Sequence, residues 1–256
     1  MSVSVASYPD LRDRGVLISG GGSGIGAALV EAFSHQGARV VFVDIADGPS
    51  DALVQRLSEG VAHKPIYLKA DVRDIEAYQA TIALAIEAIG PIRVLVNNAA
   101  RDDRHDLSGV TPDYWDESQA VNLRHHFFAI QSVAQSMREA GGGSIINFSS
   151  ITFRLNMGEF PAYATAKAGI VGLTKTLAGR LGPDNIRVNA VLPGMVLTER
   201  QTSLWLDETA IEAMTARQCL KRALMPEDIV GPCLFLASDA SRGMTAQSMI
   251  IDGGVL

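Results

Sequence analysis

The chain has 256 residues, with 22 Lys plus Arg against 28 Asp plus Glu and a net charge of -6. That balance lacks the concentrated basic footprint a nucleic-acid binder needs. Hydrophobic residues at 47% and charged residues at 20% are the proportions of a globular chain. No run of about 18 apolar residues is present to span a bilayer. The N-terminal stretch lacks the basic-then-apolar order of a secretory signal. Cys219 and Cys233 make neither a disulfide framework nor a metal-ligand spacing. The expectation is a cytoplasmic protein with no metal and no nucleic-acid or membrane partner.

In chain order, short apolar runs alternate with amphipathic stretches. Residues 16–18 precede a helical pattern over 25–35, and 39–43 precede 50–58. Residues 66–68 precede 75–89, and 94–96 precede one long pattern over 112–138. Residues 144–148 precede 162–181, followed by a run over 186–192. Helical stretches over 207–218 and 226–236 lead to a last run at 248–251. Val- and Ile-rich runs separated by helices read as βαβ units around a parallel sheet buried on both faces. The fold class predicted is α/β, a single doubly wound Rossmann-type domain over 1–256, with helices on both faces. Ligands in such a sheet bind beyond the carboxyl ends of the strands, so the informative residues are those just after each apolar run.

The first run opens into Ser19-Gly20-Gly21-Gly22-Ser23-Gly24-Ile25-Gly26. Glycines let the backbone approach a pyrophosphate, and the helix that follows offers unpaired N–H groups and a positive dipole end. A glycine-rich turn without a ligand would use the same residues, but a strand before and a helix after are the context a dinucleotide site requires. Asp44 ends the second run, 18 residues after Gly26. A carboxylate there accepts from both ribose hydroxyls and repels a 2′-phosphate. Ile45 follows it, and Ser23 lies in the loop, so no base is placed to welcome that phosphate. A turn or capping Asp is the plainer alternative. The cofactor predicted is NAD.

Tyr163 and Lys167 stand four apart in a helical pattern, on one face, and Ser150 lies just after the fifth run. A free tyrosine is almost wholly protonated at pH 7. A neighbouring ammonium and the charge of an oxidised nicotinamide would favour the phenolate and make it a general base. Tyr and Lys four apart also occur on any solvated helix.

Together these features resemble the short-chain dehydrogenase/reductase family over the whole chain. Asn97-Asn98-Ala99-Ala100 resembles the family motif after the fourth strand, with Ala100 where Gly is usual. Ser150, Tyr163 and Lys167 match its catalytic serine, tyrosine and lysine, and Asn122 its relay asparagine. The resemblance implies that Asp71 and Val72 pack around the adenine. It implies that Asn98 and Ala99 contact the cofactor and that the segment Pro193-Gly194-Met195-Val196-Leu197-Thr198 holds the nicotinamide carboxamide. It also implies a homotetramer formed by the helices holding Asn122 and Tyr163. Phe127-Phe128-Ala129-Ile130 and Ala168-Gly169-Ile170-Val171 are apolar enough for that, though an internal core would look the same.

The loop after the fourth run, Arg101-Asp102-Asp103-Arg104-His105, is unusually charged for a segment beginning inside an active site. Such groups bind adjacent hydroxyls well and an acyl chain badly. A solvated surface loop is the alternative. Here the chain resembles the bacterial aldose 1-dehydrogenases of the family, which include D-xylose and L-arabinose enzymes. That resemblance implies sugar contacts by Asp102, Arg104 and Gln201, with Met195 tuning acceptance at C4 or C6. His105, His125 and His126 read as polar residues at loop and helix surfaces, without a role. The function expected is NAD-dependent oxidation of an aldose, such as L-arabinose, D-xylose, L-fucose or D-galactose, at C1. The rival is a short-chain oxidoreductase of another secondary alcohol or a 3-oxoacyl substrate.

Overall fold

A computed structural model describes residues 6–204 and 207–256. The seven apolar runs become seven strands: β1 (Gly15–Ser19), β2 (Arg39–Asp44), β3 (Ile66–Lys69), β4 (Ile92–Asn97), β5 (Gly143–Phe148), β6 (Ile186–Pro193) and β7 (Ser248–Ile251). They form one parallel sheet in the order β3-β2-β1-β4-β5-β6-β7. The order reverses between β1 and β4, which opens a crevice at their carboxyl ends.

Alternate strand residues face opposite layers. Val16, Ile18, Val40, Phe42, Val94 and Val96 pack with Leu29, Phe33, Ile229 and Leu234, which belong to α1 (Gly24–His35) and to Pro226–Ala237. Leu17, Val41, Val43, Leu95 and Ile145 face the other way. They meet Tyr78, Ile82, Ala129 and Val133 of Ile75–Ile89 and His125–Glu139. Both faces of the sheet are thus covered, which is why the runs carry no polar alternation.

The remaining helices in chain order are α2 (Asp47–Arg56), α3 (Ile75–Ile89), α4 (Pro112–Gln119), α5 (His125–Glu139), α6 (Pro161–Leu181), α7 (Glu199–Leu204), α8 (Glu208–Arg217) and α9 (Pro226–Ala237). The second helix begins three residues ahead of the expected 50, because Pro49 sits in its first turn, where a missing N–H loses no bond. The single helix expected over 112–138 is divided: α4 and α5 are joined by a π-helical turn, Ala120–Arg124. Such a turn lodges one extra residue and is frequent at functional sites. It holds Asn122.

Candidate active site

The glycine loop fits a dinucleotide for a steric reason. Gly20 has φ +68°, and a Cβ there would lie 2.8 Å from the Ala99 Cα. A Cβ on Gly26 would fall 1.8 Å from the Gly20 carbonyl oxygen. Neither position admits a side chain, so the first turn of α1 stands directly behind the loop, with its N–H groups turned to the cleft. Ser19 closes the loop from below: its hydroxyl accepts from the Asn98 and Ala99 amides, each at 3.1 Å. The Asn98 side chain donates to the Ser19 and Gly20 carbonyls at 3.1 and 3.0 Å.

Asp44 is oriented by three backbone donors, Gly22 N at 2.9 Å, Ile45 N at 2.8 Å and Ala46 N at 3.0 Å. Ile45 beside it is 62% exposed, an apolar shelf on the cleft wall. Farther along, Asp71 accepts from the Arg73 amide and guanidinium, which hold its carboxyl below the usual range. The same guanidinium donates to Glu117, so this basic group on the wall is already engaged by two carboxylates.

The reacting corner lies where β5 ends against α6. Ser150 accepts from the Thr152 amide and hydroxyl at 3.2 and 3.1 Å. Tyr163 is in the first turn of α6, with Lys167 one turn on. The Lys167 ammonium donates to the Phe148 carbonyl at 2.8 Å and lies 5.4 Å from the centre of the Tyr163 ring. Burial pushes the Tyr163 phenol above its ordinary range and the Asp102 charge adds to this, while a hydrogen bond with Ser150 pulls it back. Burial also draws Lys167 down to about 7, against the opposing pull of Asp102. In the protein by itself burial is thus the largest influence on both groups.

The charged loop after β4 reaches across the cleft to α7. Gln201 donates to Asp102 across 99 positions of sequence. Arg200 lies 3.1 Å from Asp103 and 3.7 Å from Asp102. Arg104 lies 4.0 Å from Glu159 and above the Phe160 ring at 5.5 Å. One cleft of about 910 Å³ joins all these parts. It is lined by Gly20, Ser23, Gly24, Ile25, Gly26, Asp44, Ile45, Asp71, Val72, Asn98, Ala99, Asp102, Arg104, Ser150, Tyr163, Lys167, Pro193, Met195, Val196, Thr198 and Gln201. Asn122 stands behind the wall, fully buried. Its amide accepts from the Arg101 N–H at 2.8 Å and donates to the Arg101 carbonyl at 2.9 Å.

Sequence reasoning missed Glu159 and Phe160, which line the same end of the cleft and carry no motif. Arg200 stood beside Gln201 in the sequence, but only the fold sets it against Asp103. The surface placement expected for two histidines is wrong: His125 and His126 are both 0% exposed. They begin α5 on the side that packs beneath the sheet, where neighbouring apolar positions of the helix also point. Among the described residues no group of three or more His, Cys, Asp or Glu could hold a metal, and no described helix is long and apolar enough to cross a membrane.

A parallel sheet with a glycine loop, a carboxylate at the end of β2 and a Ser–Tyr–Lys corner in one cleft is the arrangement of an oxidoreductase that uses a dinucleotide. Residues 20–256 match the family described as Enoyl-(Acyl carrier protein) reductase. The chain belongs to the short-chain dehydrogenase/reductase family. It is 63% identical over 255 residues to a Rhizobium meliloti protein named "Probable galactose dehydrogenase GalD", covering 100% of each chain. It is 47% identical over 252 residues to the D-xylose 1-dehydrogenase of Caulobacter vibrioides, covering 98% of this chain and 99% of the other. A solved short-chain dehydrogenase/reductase mutant from Serratia marcescens superposes with a TM-score of 0.88 at 33% identity, over 96% of this chain and 99% of that one.

Proposed function

We propose that the protein oxidises an aldopyranose at C1 to the aldonolactone, with NAD as acceptor, working as one domain. The observation that carries this is the meeting of Asp102 and Gln201, beside Arg104, at the same end of the cleft as Tyr163 and Ser150. Directed charged and amide groups suit a ring of hydroxyls, and an acyl chain laid there would strip their hydration without return. The named activities of the galactose and D-xylose relatives point the same way.

When bound, the dinucleotide supplies the acceptor for the hydride leaving C1. The chain does the rest. Ser150 Oγ holds the anomeric oxygen, and Tyr163 Oη takes its proton. Because burial keeps the phenol protonated in the protein alone, the proton leaves readily only once positive charge is brought beside it. Lys167 would bind the nicotinamide ribose, and Asn122 would support a proton relay through water to Lys167. Asp71 and Val72 flank the adenine, Asp44 takes the ribose hydroxyls, and Thr198 with Pro193 and Val196 borders the nicotinamide. Met195, on the cleft wall, tunes acceptance of the C4 hydroxyl or a C6 substituent. In this reading the enzyme works in the cytoplasm as a homotetramer, and the 41% exposure of Phe127 on α5 supports a contact face there.

Incubating the purified protein with NAD or NADP and a panel of pentoses and hexoses tests the reading. NADH formation with D-galactose, D-xylose or L-arabinose is the expected outcome. Activity only on 3-oxoacyl esters or simple secondary alcohols would replace the aldose reading with its rival. Sedimentation showing monomer alone at working concentration would remove the tetramer.

A further inference from the structure

His125 is a polar side chain in a place built for a hydrocarbon. It is fully buried, its ring 4.4 Å from that of His126 and 6.3 Å from that of Tyr78, centre to centre. A buried imidazole costs free energy relative to a Leu or Phe of similar size unless its polar atoms are used. One is used: Nε2 lies 3.1 Å from the Ala99 carbonyl oxygen. A carbonyl can only accept, so Nε2 carries the ring proton of the neutral imidazole. Nδ1 is then the nitrogen without a proton; it makes no close hydrogen bond, and Val121 is the second backbone group that interacts with the ring. Burial drives the imidazole pKa down to about 3, which keeps the ring in that neutral form.

Ala99 is gripped from two sides. Its N–H donates to Ser19 Oγ on β1 at 3.1 Å, and its carbonyl is held from α5 by His125. Two residues on, the Arg101 N–H and carbonyl are both bonded to Asn122. The π-helical turn and the start of α5 thus hold the backbone over residues 99–101 at three points. That short segment abuts Gly20 on one side and delivers Asp102 on the other.

Resting on the aldose reading of this cleft, we propose that His125 is a positioning residue. By donating to the Ala99 carbonyl it fixes the segment that presents Asp102 and Arg104 to the sugar. It touches neither substrate nor cofactor and acts through the backbone.

Glutamine and methionine are nearly isosteric, and only glutamine can donate, so His125→Gln and His125→Met separate the hydrogen bond from the packing. Two readouts are taken: KM against kcat for the sugar the parent oxidises, and amide hydrogen exchange over residues 99–104 without sugar. In His125→Met the sugar KM is expected to rise about tenfold, the factor one hydrogen bond can carry, with kcat changed far less. Exchange over 99–104 should quicken while β5 and α9 stay protected. His125→Gln should remain within about twofold of the parent on both readouts. Equal behaviour of the two variants, or faster exchange spread over the whole sheet with KM unchanged, would overturn the proposal. If the parent oxidises no sugar, the aldose reading fails alone, and the exchange comparison still decides the role of His125.

Discussion

In the proposed reaction the Tyr163 hydroxyl must lose a proton, in surroundings that oppose its ionisation. Tyr163→Phe removes that hydroxyl and keeps the ring's packing beside Phe160. Turnover should fall about 10²–10⁴-fold with the thermal midpoint nearly unchanged; near-parental turnover would exclude Tyr163 as the base. The direction of its shift also sets a pH trend. With the phenol raised and its deprotonated form required, oxidation should accelerate as pH rises, and this limb should be absent from the residual activity of the Phe variant. Asp44 makes a separate point at the other end of the cleft. Its carboxylate is oriented by three amides at the end of β2. Asp44→Ala should weaken NAD and narrow its advantage over NADP, read as the ratio of the two kcat/KM values. An unchanged ratio would remove Asp44 as the reader of the ribose.

At the scale of elements, the loop after β4 and the helix α7 meet across the mouth of the cleft, and the contacts between them are not equal. The Arg200 ion pairs are 48% exposed on the arginine side, so screening leaves them worth about 0–1 kcal/mol. Asp102 is more enclosed, at 25%, and faces Gln201 and the reacting corner. Asp102→Ala or Arg104→Ala should therefore cost about 10–150-fold in kcat/KM for the sugar. Arg200→Ala should cost less than about fivefold, with a dependence on salt. Deoxy sugars add the finer test: removing Gln201 should matter only for a sugar that keeps the hydroxyl it binds. Uniform losses over all analogues would mean that the loop is held in place by these residues and does not read hydroxyls.

The whole molecule carries an acid sensitivity in its core. His126 is fully buried, and burial holds its pKa well below 6.5, with His125 and Lys167 adding to the shift and a hydrogen bond with Asn147 opposing it. In the unfolded chain the same imidazole takes up a proton near pH 6.5. Above that pH neither state binds the proton and stability is unaffected. Below it the unfolded state gains a proton that the folded state refuses, so stability falls as the pH falls. Each such histidine contributes about 1.4 kcal/mol per pH unit. Urea unfolding of the parent and of His126→Gln, compared at pH 5 and pH 6, should show a shallower slope in the variant by about that amount. Equal slopes would mean that the buried ring is protonated in the folded protein.

The strands, their order along the chain and the glycine cradle were legible because each depends on local pattern. Val and Ile runs form strands that are buried on both faces, and glycines mark a backbone that can take no Cβ. Asp44, Ser150, Tyr163 and Lys167 were legible for a related reason, since each falls just past a strand or at a fixed helical spacing. Asn122 was found only by family likeness; the bulged turn that holds it has no sequence signal, because an extra residue in a helix leaves the apolar period almost intact. The two buried histidines were misplaced because residue type alone gives imidazole a surface preference, and only packing of α5 beneath the sheet withdrew them from water. The contact of Gln201 with Asp102, 99 positions away, likewise belongs to the fold alone. Sequence by itself determined the parallel sheet, the glycine loop and the spacing of Tyr163 and Lys167, since these arise from neighbours in the chain. Tertiary structure decided which charges meet across the mouth of the cleft and how burial shifts Tyr163 and Lys167, because both follow from distances and desolvation that exist only once distant segments meet.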